Sequence, residues 1–127
     1  MYILSPSSQR RRTGVDPRLI EISNLALEIS VVDFGIPRDG GLRTSERQKE
    51  LFDDGKSKAD GYKNPSKHQR GMALDFYAYV DGKASWDTEH LAMVGAAFLQ
   101  AASMLGYRLK WGGLFRSFKD YPHVELV

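Results

Sequence analysis

The chain has 127 residues, 42% hydrophobic and 27% charged, with a formal net charge of +2. That size and balance suit one folded domain rather than a disordered chain. The absence of cysteine excludes disulfides, thiolate nucleophiles and cysteine-ligated metal, the small net charge gives no ground for nucleic-acid binding, and no apolar run nears the roughly 20 residues of a membrane span.

The opening MYILSPSSQRRRTG places its apolar residues before its arginines, the reverse of a secretory signal. Residues 1–15 therefore read as a flexible or loosely packed flank, with Arg10, Arg11 and Arg12 solvated. Asp16 and Pro17 make an N-cap and first-turn pair. Leu19, Ile20, Ile22, Leu25, Ala26 and Ile29 then recur at helical spacing as far as Ser30. Phe34-Gly35-Ile36 reads as a short strand and Arg38-Asp39-Gly40-Gly41 as a turn. Thr44 is the expected N-cap of a second helix, Ser45 to Asp54, closed by Gly55. Lys56 to Ser66 is polar and reads as a surface loop, and the nearby Asp53, Asp54 and Asp60 as solvated turns rather than an ion site.

Met72 to Val80 alternates as a strand does, with Met72, Leu74, Phe76 and Ala78 on one face and Ala73, Asp75, Tyr77 and Tyr79 on the other. Asp81-Gly82 is a turn signal. Thr88 is expected to cap a long helix that buries Leu91, Val94, Phe98, Leu99, Ala102 and Leu105, with Gly106 ending it. Tyr107 to Trp111 and Pro122 to Val127 are the last strands, separated by the loop Gly112 to Tyr121. No repeat or linker interrupts the chain, so the reading is one α+β domain over residues 1–127.

One carboxylate has no evident packing role. In SKHQRGMALDF, Asp75 sits in the strand-like run, seven residues after His68. Of the three histidines, His90 falls near the start of the long helix and reads as a helix-end residue. His68 and His123 instead stand where polar loops feed strands. Two neutral imidazoles and one carboxylate are a common catalytic zinc set that leaves a position for water. Spacing alone leaves this reading beside a plainer one, with locally hydrogen-bonded histidines and a solubilising Asp75.

Ser66-x-His68, followed by Gly71, Ala73 and Asp75, resembles the SxHxxGxAxD motif of the zinc D-Ala-D-Ala carboxypeptidase and L-alanyl-D-glutamate peptidase family. Pro122-His123-Val124-Glu125-Leu126 resembles its second motif, in which the last zinc histidine opens a final strand. The resemblance runs from about Pro17 to Val127 and is strongest to short phage endolysins that cut the L-Ala–D-Glu bond of peptidoglycan stem peptides. It implies a small antiparallel sheet with helices packed on one side, the Hedgehog/D-Ala-D-Ala-peptidase-like zinc fold.

The resemblance also implies roles. His68, Asp75 and His123 would bind Zn²⁺, and Asp120, three residues before His123, would be the general base. Glu125 is the rival base or an orienting group for a histidine. Arg43, in Gly41-Leu42-Arg43-Thr44, would bind the scissile carbonyl oxygen. Gln48 is expected at the substrate, and Ser66 either there or holding a loop turn. Trp111, ending a strand just before Gly112 and Gly113, is expected either to line the cleft as a substrate contact or to sit in the core. One departure is the loop Leu114 to Lys119, short and aromatic where the phage enzymes carry a longer glycine-rich insertion.

The function implied is a zinc endopeptidase for host lysis. Its partner would be the peptidoglycan stem peptide, with no nucleic acid and no stable membrane binding, and the enzyme would be a monomer. It would be made in the host cytoplasm and reach periplasmic peptidoglycan through a membrane pore. The alternatives are a D-alanyl-D-alanine carboxypeptidase or dipeptidase on the same metal, and a non-catalytic wall-binding or phage structural module.

Overall fold

A computed structural model describes residues 2–127. Helix α2 (Pro17–Ile29) starts where the chain caps itself, with the Asp16 carboxylate accepting the Arg18 N–H and Pro17 in the first turn. Helix α3 (Ser45–Asp53) begins at Thr44, whose hydroxyl accepts the Arg47 N–H at 3.0 Å. Helix α4 (Thr88–Leu105) follows Asp87 rather than Thr88 as N-cap, and Gly106 ends it. α2 packs along α4, burying Leu19, Ile22 and Ala26 from one and Val94, Phe98 and Ala101 from the other. Phe98 lies 5.1 Å from both Phe76 and Phe34, which joins the helices to the sheets.

Among the described residues six short strands form the sheets: β1 (Asp33–Gly35), β2 (Ala73–Asp75), β3 (Tyr77–Val80), β4 (Lys83–Ser85), β5 (Leu109–Trp111) and β6 (His123–Leu126). The expected single sheet resolves into two, both antiparallel, ordered β1-β3-β4 and β2-β6-β5. The alternating run Met72 to Val80 is the reason. It changes partners at Phe76, giving β2 to one sheet and β3 to the other. At that switch Asp75 donates its N–H to Gly40 O at 2.7 Å and Phe76 donates to Pro122 O at 2.8 Å. Asp81 and Gly82, with φ of 52° and 78°, make the two-residue turn to β4.

Residues 2–15 depart from the expected loose flank. Helix α1 (Pro6–Arg11) is capped by Ser5, and Leu4, Ser8 and Val15 are buried. The Ser8 hydroxyl accepts the Ile36 N–H at 2.9 Å, and Arg11 donates to Ile36 O at 2.9 Å. Arg12 is likewise not solvated but donates to Ser23 and Asn24, both at 2.7 Å. One apolar cluster consequently runs from Leu4 through Phe76 to Leu126.

Candidate metal centre

His68 is delivered by a single 3-10 turn, Lys67–Arg70. Ser66 and Gln69 cap it reciprocally: the Ser66 hydroxyl accepts the His68 N–H at 3.2 Å, and Gln69 Oε1 accepts the Ser66 N–H at 2.8 Å. Gly71 closes the turn at φ 69°, where a Cβ would also meet Gly14 O at 2.7 Å. The His68 ring is buried, and its Nδ1 lies 2.9 Å from Gly41 O. A carbonyl only accepts, so Nδ1 carries the hydrogen and Nε2 faces inward, with a lone pair when the ring is neutral.

Pairing of β2 with β6 sets Asp75 directly opposite His123. Asp75 Oδ1 lies 3.0 Å from His123 Nδ1 and 3.2 Å from His68 Nε2. The other nitrogen of His123 meets Glu125 Oε1 at 2.9 Å, and Glu125 Oε2 is held by Lys67 at 3.2 Å. One ligand atom from each of His68, Asp75 and His123 lies within 4.8 Å of the others. The donor set suits a divalent ion. Each imidazole has one nitrogen committed to an outer acceptor and presents the other inward beside a carboxylate oxygen.

The charges agree. Burial opposes ionisation of Asp75, yet the pull of His68 and the bonds from His123 and His68 hold its carboxyl far below the usual range. Burial likewise opposes the His123 imidazolium, but Asp75 and Glu125 on its two nitrogens raise it to about 9. The bond from His123 is the main reason Glu125 falls to about 2. Asp120 behaves differently: burial lifts its carboxyl above the ordinary value, against the pull of His123. Its Oδ2 lies 3.8 Å from His123 Nδ1.

A cleft of about 650 Å³ opens over this group, walled by Arg43, Lys56, Lys58, Phe118, Lys119 and Asp120. Arg43 donates to Asp39 O at 2.7 Å, Gln48 Oε1 at 3.1 Å and Asp75 Oδ2 at 3.0 Å. Three of its five N–H groups are thus engaged and two remain.

Two expected substrate contacts are placed elsewhere. Gln48 is fully buried and spends its amide on Arg43, Ser57 and Ala59, so it braces Arg43 and the 57–59 loop. Trp111 donates to Tyr121 O at 2.7 Å and packs on Tyr121, outside the cleft lining. Ser66 does line the cleft, with its hydroxyl also serving as the cap of the histidine turn. Sequence reasoning missed Lys67, which holds both Glu125 and Leu126 O. Adjacency to His68 was the only signal for Lys67. Phe115, from the short aromatic loop Leu114 to Lys119 singled out in the sequence, lines the cleft with its ring 5.9 Å from that of His123.

Known proteins match this chain closely. The L-alanyl-D-glutamate peptidase of Escherichia phage T5 is 35% identical over 95% of each chain. The peptidoglycan L-alanyl-D-glutamate endopeptidase CwlK of Bacillus subtilis is 32% identical over 68% of this chain and 58% of its own. The crystal structure of the Serratia marcescens L-Ala D-Glu endopeptidase ChiX superposes with a TM-score of 0.86 at 33% identity, covering 98% of this chain and 90% of that one. The family profile described as phage L-alanyl-D-glutamate peptidase matches residues 1–127, including the segment before Pro17 that the motif resemblance left out. With the whole sequence matched and the fold shared, the chain belongs to the phage L-alanyl-D-glutamate peptidase family.

Proposed function

We propose that this chain is a zinc-dependent endopeptidase that hydrolyses the L-Ala–D-Glu bond of peptidoglycan stem peptides during host lysis. The observation that carries the reading is the convergence of His68, Asp75 and His123 beside Asp120 at an open cleft. His68 Nε2, Asp75 Oδ1 and His123 Nδ1 would hold the metal. Once bound, zinc acidifies a water and polarises the scissile carbonyl.

The chain's own groups do the rest. Asp120 is the general base: it takes a proton from the attacking water and gives it to the departing D-Glu amine as the amide C–N bond breaks. Its raised pKa suits both steps, because the carboxyl must hold the proton and then return it. The two remaining N–H groups of Arg43 stabilise the negative charge that develops on the carbonyl oxygen. Glu125, fixed by Lys67, holds His123 in its ring orientation. Lys56, Lys58 and Lys119 line the cleft and pair with no carboxylate among the described residues, which favours an anionic peptide. A monomer would suffice, since every group named comes from one chain. A phage relative supports synthesis in the host cytoplasm and action on periplasmic peptidoglycan after a membrane pore opens.

The test is mass spectrometry of purified Gram-negative sacculi incubated with the protein, with and without a chelator. The expected product is stem peptide beginning at D-Glu, absent under chelation and restored by zinc. Release of free D-Ala instead would overturn the endopeptidase reading.

A further inference from the structure

The outward face of the β1-β3-β4 sheet takes no part in this site. Strand alternation turns Phe34 and Ala78 into the core, both buried, and turns Tyr77 and Tyr79 outward. A sheet face in water is ordinarily polar, yet this one carries three aromatic rings. Tyr79 is 44% exposed, and Trp86, just beyond β4, is 53% exposed. Tyr77 lies across its strand partner Gly35, where any Cβ would strike the ring. It also meets Trp86 at 5.9 Å. Gly35 and, on β4, Ala84 leave these rings uncovered by neighbouring side chains.

Beside the rings is a second cavity, of about 290 Å³, whose walls include Ile3, Ser5, Asp33, Gly35, Tyr77 and Tyr79. Asp33 accepts its neighbour's N–H through Oδ1 at 2.8 Å, and its other oxygen takes part in no hydrogen bond or ion pair among the described residues. Among the described residues no lysine or arginine lines this cavity, in contrast to the cleft. Flat rings, a carboxylate acceptor and no cation disfavour a phosphate or an anionic peptide. They suit a neutral saccharide, whose pyranose C–H faces stack on aromatic rings while its hydroxyls donate to the carboxylate.

We propose that this face is a saccharide-binding site that holds the glycan strand of the polymer whose stem peptide enters the cleft. Tyr77 stands two residues beyond Asp75, roughly 7 Å along an extended chain, so one polymer can occupy both places. The choice of glycan rests on the peptidoglycan reading above; the saccharide chemistry does not.

The experiment titrates the protein with tetra-N-acetylchitotetraose and follows amide and indole resonances by NMR. Shifts are expected at Gly35, Tyr77, Tyr79 and the Trp86 indole, with none at His68 or Asp120. Tyr79→Ala and Trp86→Ala, both at exposed positions, should weaken binding by about threefold to tenfold, the range of one aromatic contact. Each should slow sacculus digestion by a similar factor and leave cleavage of a soluble stem peptide unchanged. Absence of those shifts, shifts confined to the cleft, or wild-type sacculus rates in both variants would overturn the proposal. If the unmodified protein cleaves no soluble stem peptide, the catalytic reading fails, while the titration still reports on this face.

Discussion

Raising the pH from about 6 to about 9.5 in the presence of a chelator should destabilise the protein, and His123 sets the amount. In the folded, metal-free chain its imidazolium is held between Asp75 and Glu125, which raises it from 6.5 to about 9. Each unit is worth about 1.4 kcal/mol, so the shift corresponds to about 3 kcal/mol of folding free energy. The folded state holds this proton more tightly than the unfolded chain. The contribution is therefore complete below pH 6.5 and is lost as the pH rises through about 9. Urea unfolding at a series of pH values, read from Trp86 and Trp111 fluorescence, measures it directly. Saturating zinc should reverse the trend, because coordination needs Nδ1 deprotonated. His123→Asn should flatten the chelated profile. Chelated wild-type protein whose stability is flat or rising between pH 6.5 and 9 would refute the charge arrangement described for the site.

Asp120→Asn should keep the fold and the zinc content while cleavage falls by about 10²–10⁴-fold, measured by metal analysis beside a peptide assay. If Glu125→Gln shows that phenotype instead, the base has been assigned to the wrong carboxylate. The expected result for Glu125→Gln is zinc binding weaker by about 10–100-fold, read by competition with a chromogenic chelator. Leu4→Ala should cost about 2–5 kcal/mol in urea unfolding, because Leu4 is buried in the common core. A loosely packed N-terminal segment would show no such loss.

What the sequence revealed was whatever local chemistry decides. Helix α2 was legible because Asp16, Pro17 and the spacing of Leu19, Ile22 and Ala26 all act within a few residues. The candidate ligand trio was visible as residue types in two short motifs, and its convergence follows from the Asp75–His123 register. The missed features depend on partners far along the chain. Nothing near Phe76 announces that the strand will change sheets, because the switch is made by Gly40 and Pro122. Gln48 read as a substrate contact, but its amide is consumed by Arg43, Ser57 and Ala59. Helix α1 was hidden because its short polar stretch is held by Ile36, over twenty residues away.

The strand order of the second sheet bears on how the protein is made. β6 is the middle strand, and both β2 and β5 pair with it rather than with each other. It also follows the other five strands in sequence, so a growing polypeptide has synthesised all of them before it. Until it arrives, β2 and β5 are two unpaired edges, Asp75 lacks its opposite residue, and Glu125 is not there for Lys67 to hold. Closing the sheet and completing the candidate ligand set are consequently one event. On the metal-site reading proposed above, a slow step in inserting β6 would appear as a lag in metal uptake of the same length.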